Sequence, residues 1–172
     1  MKAAMASVAD AFFRIPLSVQ VDHHPTNPGY AMVNAVDGDA AAAGCVVYRL
    51  LTAMGCQITP EIAQCLYAGI STDTGNFSFE NTDGEAFAIV AELVRAGLPL
   101  NEMSRKLFLL KEEAHVRLLG RALRTLRLFG GGKCACMQLS PADYAAAGAS
   151  GEHSDGIVNY AIIGLIQLEK GY

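Results

Sequence analysis

The sequence predicts an α/β fold, because one short strand precedes a series of segments with helical periodicity. The strand candidate runs from Ser18 to Val21, is rich in β-branched residues and ends at the turn residues of positions 25–29. Apolar residues then recur at helical spacing as far as Phe129, and Gly130-Gly131-Gly132 precedes a second alternating stretch. We therefore expect an α/β unit with flanking helices, a connecting helix, and the start of an α+β second unit.

The helices of the first unit have recognisable ends. Ala40 to Met54 is predicted to be the first helix, and Pro60 to Ile70 the second, with the proline in its first turn. Thr82-Asp83-Gly84-Glu85 has the pattern of a capping box, in which the threonine caps the helix. That third helix is expected to run to about Ala96, where Gly97 ends it.

Two further segments, Asn101 to Leu110 and Glu112 to Phe129, are helical by period. The second carries four arginines on one predicted face: Arg117, Arg121, Arg124 and Arg127. A basic stripe can bind a nucleic-acid backbone, but a stripe of charges is more often a solvated helix face. We interpret this one as a solvated face on a helix that links two domains.

The glycine run is predicted to be a hinge or a hairpin turn. It lacks the ending of a phosphate-binding loop, because Lys133 is followed by Cys134 rather than by serine or threonine. Cys134 to Leu139 alternates as a strand, Ser140-Pro141 begins a helix that ends near Gly148, and Ser154 to Leu168 is an apolar segment.

Composition narrows the class of protein. The chain has 172 residues, 52% of them hydrophobic, and a net charge of −4, which suits one sizeable core or two small ones. No apolar run reaches the length of a membrane span, and Met1 to Ala11 lacks the pattern of a signal peptide. We expect a cytoplasmic protein without membrane association. The five cysteines lack Cys-x-x-Cys spacing, so reduced core thiols are expected rather than disulfides or zinc ligands.

The most informative motif is Asp22-His23-His24, which falls at the carboxyl end of the predicted strand, where open α/β sheets bind ligands. A neutral imidazole binds a metal through one nitrogen, while its other N–H needs an acceptor that fixes the tautomer. Neighbouring strand residues point to opposite faces, so one histidine is expected to bind directly. We predict that His23 is a metal ligand, that Asp22 is its supporting or bridging carboxylate, and that His24 meets substrate phosphate. The alternative is a polar strand end whose histidines cap a turn.

A second carboxylate follows an apolar run about fifty residues later. Ser71-Thr72-Asp73-Thr74-Gly75 comes directly after Ile70, and Gly75 can adopt a positive φ there. Asp73 is therefore predicted to be a second metal ligand. Its alternative role is an Asx turn or a helix N-cap.

These two motifs resemble the DHH phosphoesterase superfamily over Val21 to Phe108. Asp22-His23-His24 matches one family motif, and the segment from Leu66 to Phe77 matches the next. The continuations Phe79-Glu80-Asn81-Thr82 and residues 91–97 are most similar to the bacterial nanoRNase and phosphoadenosine-phosphate phosphatase branch. The resemblance implies two manganese or magnesium ions that activate water for attack on phosphorus. It also implies that short oligonucleotides or 3′-phosphoadenosine 5′-phosphate are the substrates.

By the same resemblance, His23 and Asp73 are metal ligands, Asp22 supports the site, and His24 assists catalysis. Family members carry two earlier motifs that supply further aspartates and a histidine, and none precedes Val21 here. Asp37-Gly38-Asp39 superficially mimics the first of them, but it follows the Asp-His-His motif and lacks a histidine, so we reject it as a ligand motif.

The comparison with the family pattern leads us to expect an incomplete form of the enzyme. Residues 1–110 are expected to be the C-terminal part of a parallel-sheet DHH catalytic domain, residues 111–129 a connecting helix, and residues 130–172 a truncated start of the DHH-associated substrate-binding domain. His115 and His153 are predicted to be surface histidines. A homodimer is expected if sheet edges stay uncovered.

Several other functions share the Asp-His-His motif and stay open from sequence. Within the superfamily these are a single-strand exonuclease, a cyclic-dinucleotide phosphodiesterase and a manganese pyrophosphatase. From a different class, the chain could be a non-catalytic domain that binds a nucleotide or packs against another protein.

Overall fold

The β-branched stretch after Pro16 forms strand β1, Val19–Asp22, in a computed structural model that describes residues 9–12 and 14–161. It pairs in parallel with β2, Val33–Val36, so that Asp22 lies opposite Val36 at the carboxyl ends of both strands. This pairing confirms an α/β fold with parallel strands. The second strand was not predicted, because its sequence lacks strict alternation of apolar and polar residues.

The chain divides into two units, Met1–Leu109 and Leu110–Tyr172. In the first, a short helix α1 (Ala9–Phe12) precedes β1, and after β2 come the helices α2 (Ala43–Ala53), α3 (Pro60–Asp73), α4 (Gly84–Arg95) and α5 (Leu100–Ser104), followed by a π-helical turn, Arg105–Leu109. The core of this unit lies between α2, α3 and α4, where the most deeply buried side chains include Cys45, Tyr67, Ile70 and Leu93. Gly44 permits the close approach of α2 and α3, because a Cβ there would lie 2.9 Å from Ile70 Cγ1.

Three helix ends of the first unit differ from prediction. The helix predicted from Ala40 begins at Ala43, and α3 continues three residues beyond Ile70, so Asp73 is its last residue. Asp83, rather than Thr82, caps α4 by accepting a hydrogen bond from the Ala86 N–H at 2.7 Å. A carboxylate one residue closer to the helix therefore replaces the predicted capping box.

The second unit corrects the prediction of one helix over Glu112 to Phe129. Helix α6 covers Glu113–Arg124, and Arg127–Phe129 forms strand β3. The residue after the helix, Thr125, accepts from the Gln138 N–H at 2.8 Å, and its hydroxyl lies 2.8 Å from the Ala122 carbonyl and 3.0 Å from the Gln138 carbonyl. Arg127 therefore lies in a strand and does not extend the arginine stripe.

The glycine run forms the hairpin turn between β3 and β4, Cys134–Cys136, which are antiparallel. Helix α7, Pro141–Ala147, follows; Ser140 and Asp143 form its capping box, and Gly148 ends it with a φ of 64°. The strand is shorter than predicted, whereas the helix has the predicted ends. Leu118, Ala122, Ala147 and Ile157 form the small core of this unit.

Residues 162–168 of the predicted apolar segment lie outside the described residues, as do the first eight residues. Within the described part of the chain, no helix is both long and apolar enough to span a bilayer. The five cysteines are free thiols, but only Cys45 is buried, so the prediction of core positions was wrong for Cys56, Cys65, Cys134 and Cys136.

Candidate metal centre

The carboxylate of Asp22 is the centre of a hydrogen-bond cluster at the end of β1. Its Oδ1 accepts from the backbone N–H of His23 at 2.8 Å and lies 2.6 Å from His24 Nδ1. Its Oδ2 accepts from the side-chain amide of Asn27. Both oxygens are therefore engaged within the motif and the turn that follows it.

The His23 ring lies beside that of His24, with centroids 4.6 Å apart, but it has different partners. Its Nδ1 lies 3.3 Å from the Ala40 carbonyl, which can only accept, so a neutral ring that donates this hydrogen bond keeps its lone pair on Nε2. Nε2 lies 3.4 Å from Asp73 Oδ2. The Ala40 carbonyl thus contacts the His23 ring, whereas the Asp22 carboxylate accepts from the His23 backbone N–H. The supporting or bridging role of Asp22 stays a prediction.

Asp73 lies beside His23 because it is the last residue of α3, and that end of the helix lies next to the loop before α2. Asn81 holds the two segments together: its side-chain amide donates to the Ala41 carbonyl at 2.8 Å and to the Asp73 carbonyl at 3.1 Å. Asn81 lies in the third stretch that resembles the family, but nothing in its local sequence indicated this bridging role.

The chain leaves α3 through three consecutive left-handed residues. Gly75, Asn76 and Phe77 have φ values of 56°, 54° and 63°. Positive φ is rare for a residue as bulky as phenylalanine and marks a conformation that surrounding contacts must hold. The contacts include a hydrogen bond from the Phe77 N–H to the hydroxyl of fully buried Thr74, at 3.2 Å, and the stacked ring of Phe87, with centroids 5.1 Å apart. The turn that follows Asp73 is therefore tightly determined.

The charges of the site shift two pKa values. Burial raises the pKa of the Asp22 carboxyl, but hydrogen bonds from Asn27, His24 and two backbone N–H groups outweigh that effect and hold its pKa well below its usual value. The hydrogen bond to Asp22 and its negative charge, with a smaller contribution from Asp73, raise the pKa of His24. Asp22 is thus an anion that is stabilised largely by its immediate neighbours.

The donor set suits a divalent cation. Ligand atoms of Asp22, His23 and His24 lie within 4.8 Å of one another, and Nε2 of His23 faces the Asp73 carboxylate. Imidazole nitrogen with carboxylate oxygen is a combination that manganese accepts. The structure therefore brings together all four predicted residues, while their individual roles stay predictions.

Asp37 and Asp39, which we rejected as a ligand motif, lie in the turn after β2. The Asp37 carboxylate is 2.6 Å from Arg49 Nη2 and accepts from the Asp39 N–H. Gly38 in the same turn packs on Pro25, because a Cβ there would lie 3.1 Å from the Pro25 Cα. This turn supports the segment after the Asp-His-His motif by packing.

In the second unit, the prediction that His115 lies on the surface was wrong. His115 is buried, and its Nδ1 lies 2.9 Å from the His153 carbonyl. The ring of His153 accepts from the Ser150 N–H through Nδ1 and meets Glu112 at 3.1 Å through Nε2. These residues lie far apart in sequence, so spacing alone did not indicate that they would meet.

Comparison with known proteins yields no matching family model. The chain is 36% identical over 144 residues to the bifunctional oligoribonuclease and PAP phosphatase NrnA of Thermus thermophilus, a match that covers 83% of this chain and 43% of that protein. It is 29% identical to the Bacillus subtilis protein of the same name, over 52% of this chain and 30% of that protein.

One solved structure has a similar fold. An exopolyphosphatase-related protein from Bacteroides fragilis superimposes with a TM-score of 0.79 and 25% identity, covering 85% of this chain and 44% of that one. The chain thus spans less than half the length of each of these proteins.

Proposed function

Since the chain belongs, over the residues that align, to the DHH-family phosphoesterases, we propose that it is part of a manganese- or magnesium-dependent enzyme that hydrolyses short oligonucleotides or 3′-phosphoadenosine 5′-phosphate. The observation that carries this proposal is the approach of His23 Nε2 and Asp73 Oδ2 to 3.4 Å. Two motifs about fifty residues apart supply one pair of metal-binding atoms, and two relatives are named for both activities.

The positions of the side chains suit different roles. His23 and Asp73 would hold the cation, and the Ala40 carbonyl keeps Nε2 of His23 available as a ligand. When bound, divalent cations supply Lewis-acid polarisation of the phosphoryl oxygens and activation of water. The exposed ring of His24 is fixed through Nδ1 by Asp22, which leaves Nε2 to contact a substrate phosphate.

The test is hydrolysis by the purified protein at millimolar manganese. The substrates are a short oligoribonucleotide and 3′-phosphoadenosine 5′-phosphate, and product release is followed by chromatography. We expect activity that Asp73→Asn abolishes and that the matched variant Asp39→Asn retains, because Asp39 lies in an exposed turn. Equal activity of Asp73→Asn and the parent protein would refute the assignment of the site.

A second substrate class is favoured by the structural neighbour, whose name refers to exopolyphosphatase. Linear polyphosphate and pyrophosphate therefore belong in the same assay. Hydrolysis of these compounds with no cleavage of either nucleotide substrate would replace the proposed substrate while keeping the metal site.

A further inference from the structure

A chain of hydrogen bonds runs from the interior of β1 to the exposed ring of His24. Gln20 Nε2 donates to Asn27 Oδ1 at 2.6 Å, Asn27 Nδ2 donates to Asp22 Oδ2, and Asp22 Oδ1 lies 2.6 Å from His24 Nδ1. These four residues connect a buried amide with a side chain that is 69% exposed. The sequence indicated Asn27 only as one of the turn residues after β1, and it indicated no role for Gln20 beyond the strand.

The orientation of the Asn27 amide is determined from both ends. Its oxygen accepts two N–H groups, those of Gln20 Nε2 and of the Gly29 backbone at 2.8 Å, while its nitrogen faces a carboxylate, which only accepts. If the amide were flipped, its NH2 group would face two N–H donors and its oxygen would face the Asp22 carboxylate. The Asp22 carboxylate is therefore held at a set angle, with Oδ1 directed to His24.

Burial of the Gln20 side chain lowers the stability of the fold, and packing on β1 does not explain why a polar residue stands there. It is buried on β1, yet its Oε1 has no hydrogen-bond partner among the described residues. A buried oxygen without a partner is destabilising, whereas an apolar side chain of the same shape would be close to neutral. The side chain contributes one polar contact, the hydrogen bond to Asn27. Sites that violate a stability rule in this way are expected where function requires it.

We propose that Gln20 and Asn27 are positioning residues that hold the Asp22 carboxylate, and through it His24, in the orientation needed at the substrate phosphate. The proposal rests on the proposed phosphoesterase function for its effect on turnover. Its structural part, control of the His24 ring, can be measured without any metal or substrate.

Steady-state kinetics test the proposed effect of Gln20 and Asn27 on turnover. Asn27→Ala is expected to lower kcat by about 10- to 100-fold, the range seen when groups behind a metal ligand are removed, with a smaller change in KM. Gln20→Met should lower kcat less. Because Gln20 acts through Asn27, adding Gln20→Met to Asn27→Ala should have no further effect. Independent, multiplicative effects in the double variant would overturn the proposed chain.

Thermal unfolding separates positioning from a structural role. Gln20→Met removes the unpaired oxygen and leaves Asn27 Oδ1 with its Gly29 partner, so we expect an unchanged or higher Tm together with a lower kcat. A lowered Tm with unchanged kcat would show that Gln20 is structural only. Asn34→Ala is the matched control, because the Asn34 amide bridges both backbone groups of Ala31 in the same loop and does not contact Asp22.

Nitrogen NMR of the histidine rings tests the structural part in the metal-free protein at one fixed pH. Asn27→Ala and, to a lesser degree, Gln20→Met should change the His24 ring signals more than those of His23, whose ring lies 4.6 Å from that of His24 but is held by the Ala40 carbonyl. Unchanged His24 signals in both variants would refute the positioning role. If the parent protein hydrolyses no phosphate ester, the proposed function fails, and this measurement alone decides whether Gln20 and Asn27 control His24.

Discussion

Adjacent histidines in the Asp-His-His motif have different surroundings, and those surroundings predict different functions. The ring of His23 is 17% exposed and is held between a carbonyl and the Asp73 carboxylate, whereas the ring of His24 is 69% exposed and contacts Asp22. Strand alternation does not separate them as expected, because both residues follow the last residue of β1 and their ring centroids lie 4.6 Å apart. Their hydrogen-bond partners and their exposure distinguish the two rings. One ring is buried enough to serve as a ligand, and the other is accessible to a substrate.

Alanine substitutions of the two histidines should therefore impair the enzyme in different ways. In a chain that also carries the two earlier family motifs, His23→Ala is expected to lose metal and activity together. His24→Ala should keep its metal and lose turnover by about a hundred- to ten-thousand-fold, the usual range for loss of a general acid–base group. Metal content and hydrolysis of a short oligonucleotide, measured on both variants, check this. His153→Ala in the second unit is the control, and equal metal loss in the two site variants would contradict the division of roles.

At the level of elements, the site depends on how α3 ends. The helix continues to Asp73, and the left-handed run from Gly75 to Phe77 then turns the chain sharply. Gly75 cannot be replaced easily, because a Cβ there would overlap ring atoms of Phe79 and the residue would also keep an unfavourable φ. The carboxylate of Asp73 thus owes its position to a turn that tolerates only glycine at this point.

A pair of glycine substitutions tests this. Gly75→Ala should lower the free energy of unfolding by more than the ~1–2 kcal/mol that left-handed strain alone costs, because the Phe79 ring must also move. Gly69→Ala, in the interior of the same helix with nothing within 4 Å of the added Cβ, should raise it by up to about 1 kcal/mol. Chemical denaturation measures both. Equal changes in the two variants would show that the turn is not constrained as described.

For the whole molecule, the candidate centre lies within the first unit, and the described residues offer a small donor set. His23 and Asp73 are available, whereas both oxygens of Asp22 already accept hydrogen bonds. Manganese and magnesium prefer about six ligands. Affinity for metal should therefore be weak in this chain.

Isothermal titration with manganese measures that affinity. We expect no saturation at low-micromolar metal, and weak binding that His23→Ala and Asp73→Ala reduce further. Tight binding that both substitutions abolish would show that additional residues complete the site and that the ligand set named above is too small.

The two-stranded sheet of the first unit predicts self-association. Val19 and Val33 are adjacent in register and 57% and 52% exposed, and exposed apolar strands promote pairing with another chain. Light scattering after size-exclusion chromatography should show a dimer or larger species. Val19→Lys with Val33→Lys should shift it toward monomer, whereas a monomer of the parent chain at all concentrations would contradict the prediction.

The sequence by itself determined the features that depend on near neighbours. Pro60 at the start of α3, Gly97 after α4, and the Ser140 and Gly148 ends of α7 were all predicted, because capping involves groups within a few residues of each other. The Asp-His-His motif at the end of a strand was also evident, since strand and turn residues there follow one another directly.

Only the tertiary structure decided which groups meet. The Ala40 carbonyl beside His23, the hydrogen bond from Asn81 to Ala41, and the Thr125 contacts with Gln138 after α6 all join residues at least thirteen positions apart. Such contacts form when distant segments pack together, so they cannot be predicted from periodicity or from local motifs. The sequence therefore predicted which residues belong to the site from local motifs. Only the structure determined that His23 meets the distant Ala40 carbonyl and Asp73 carboxylate.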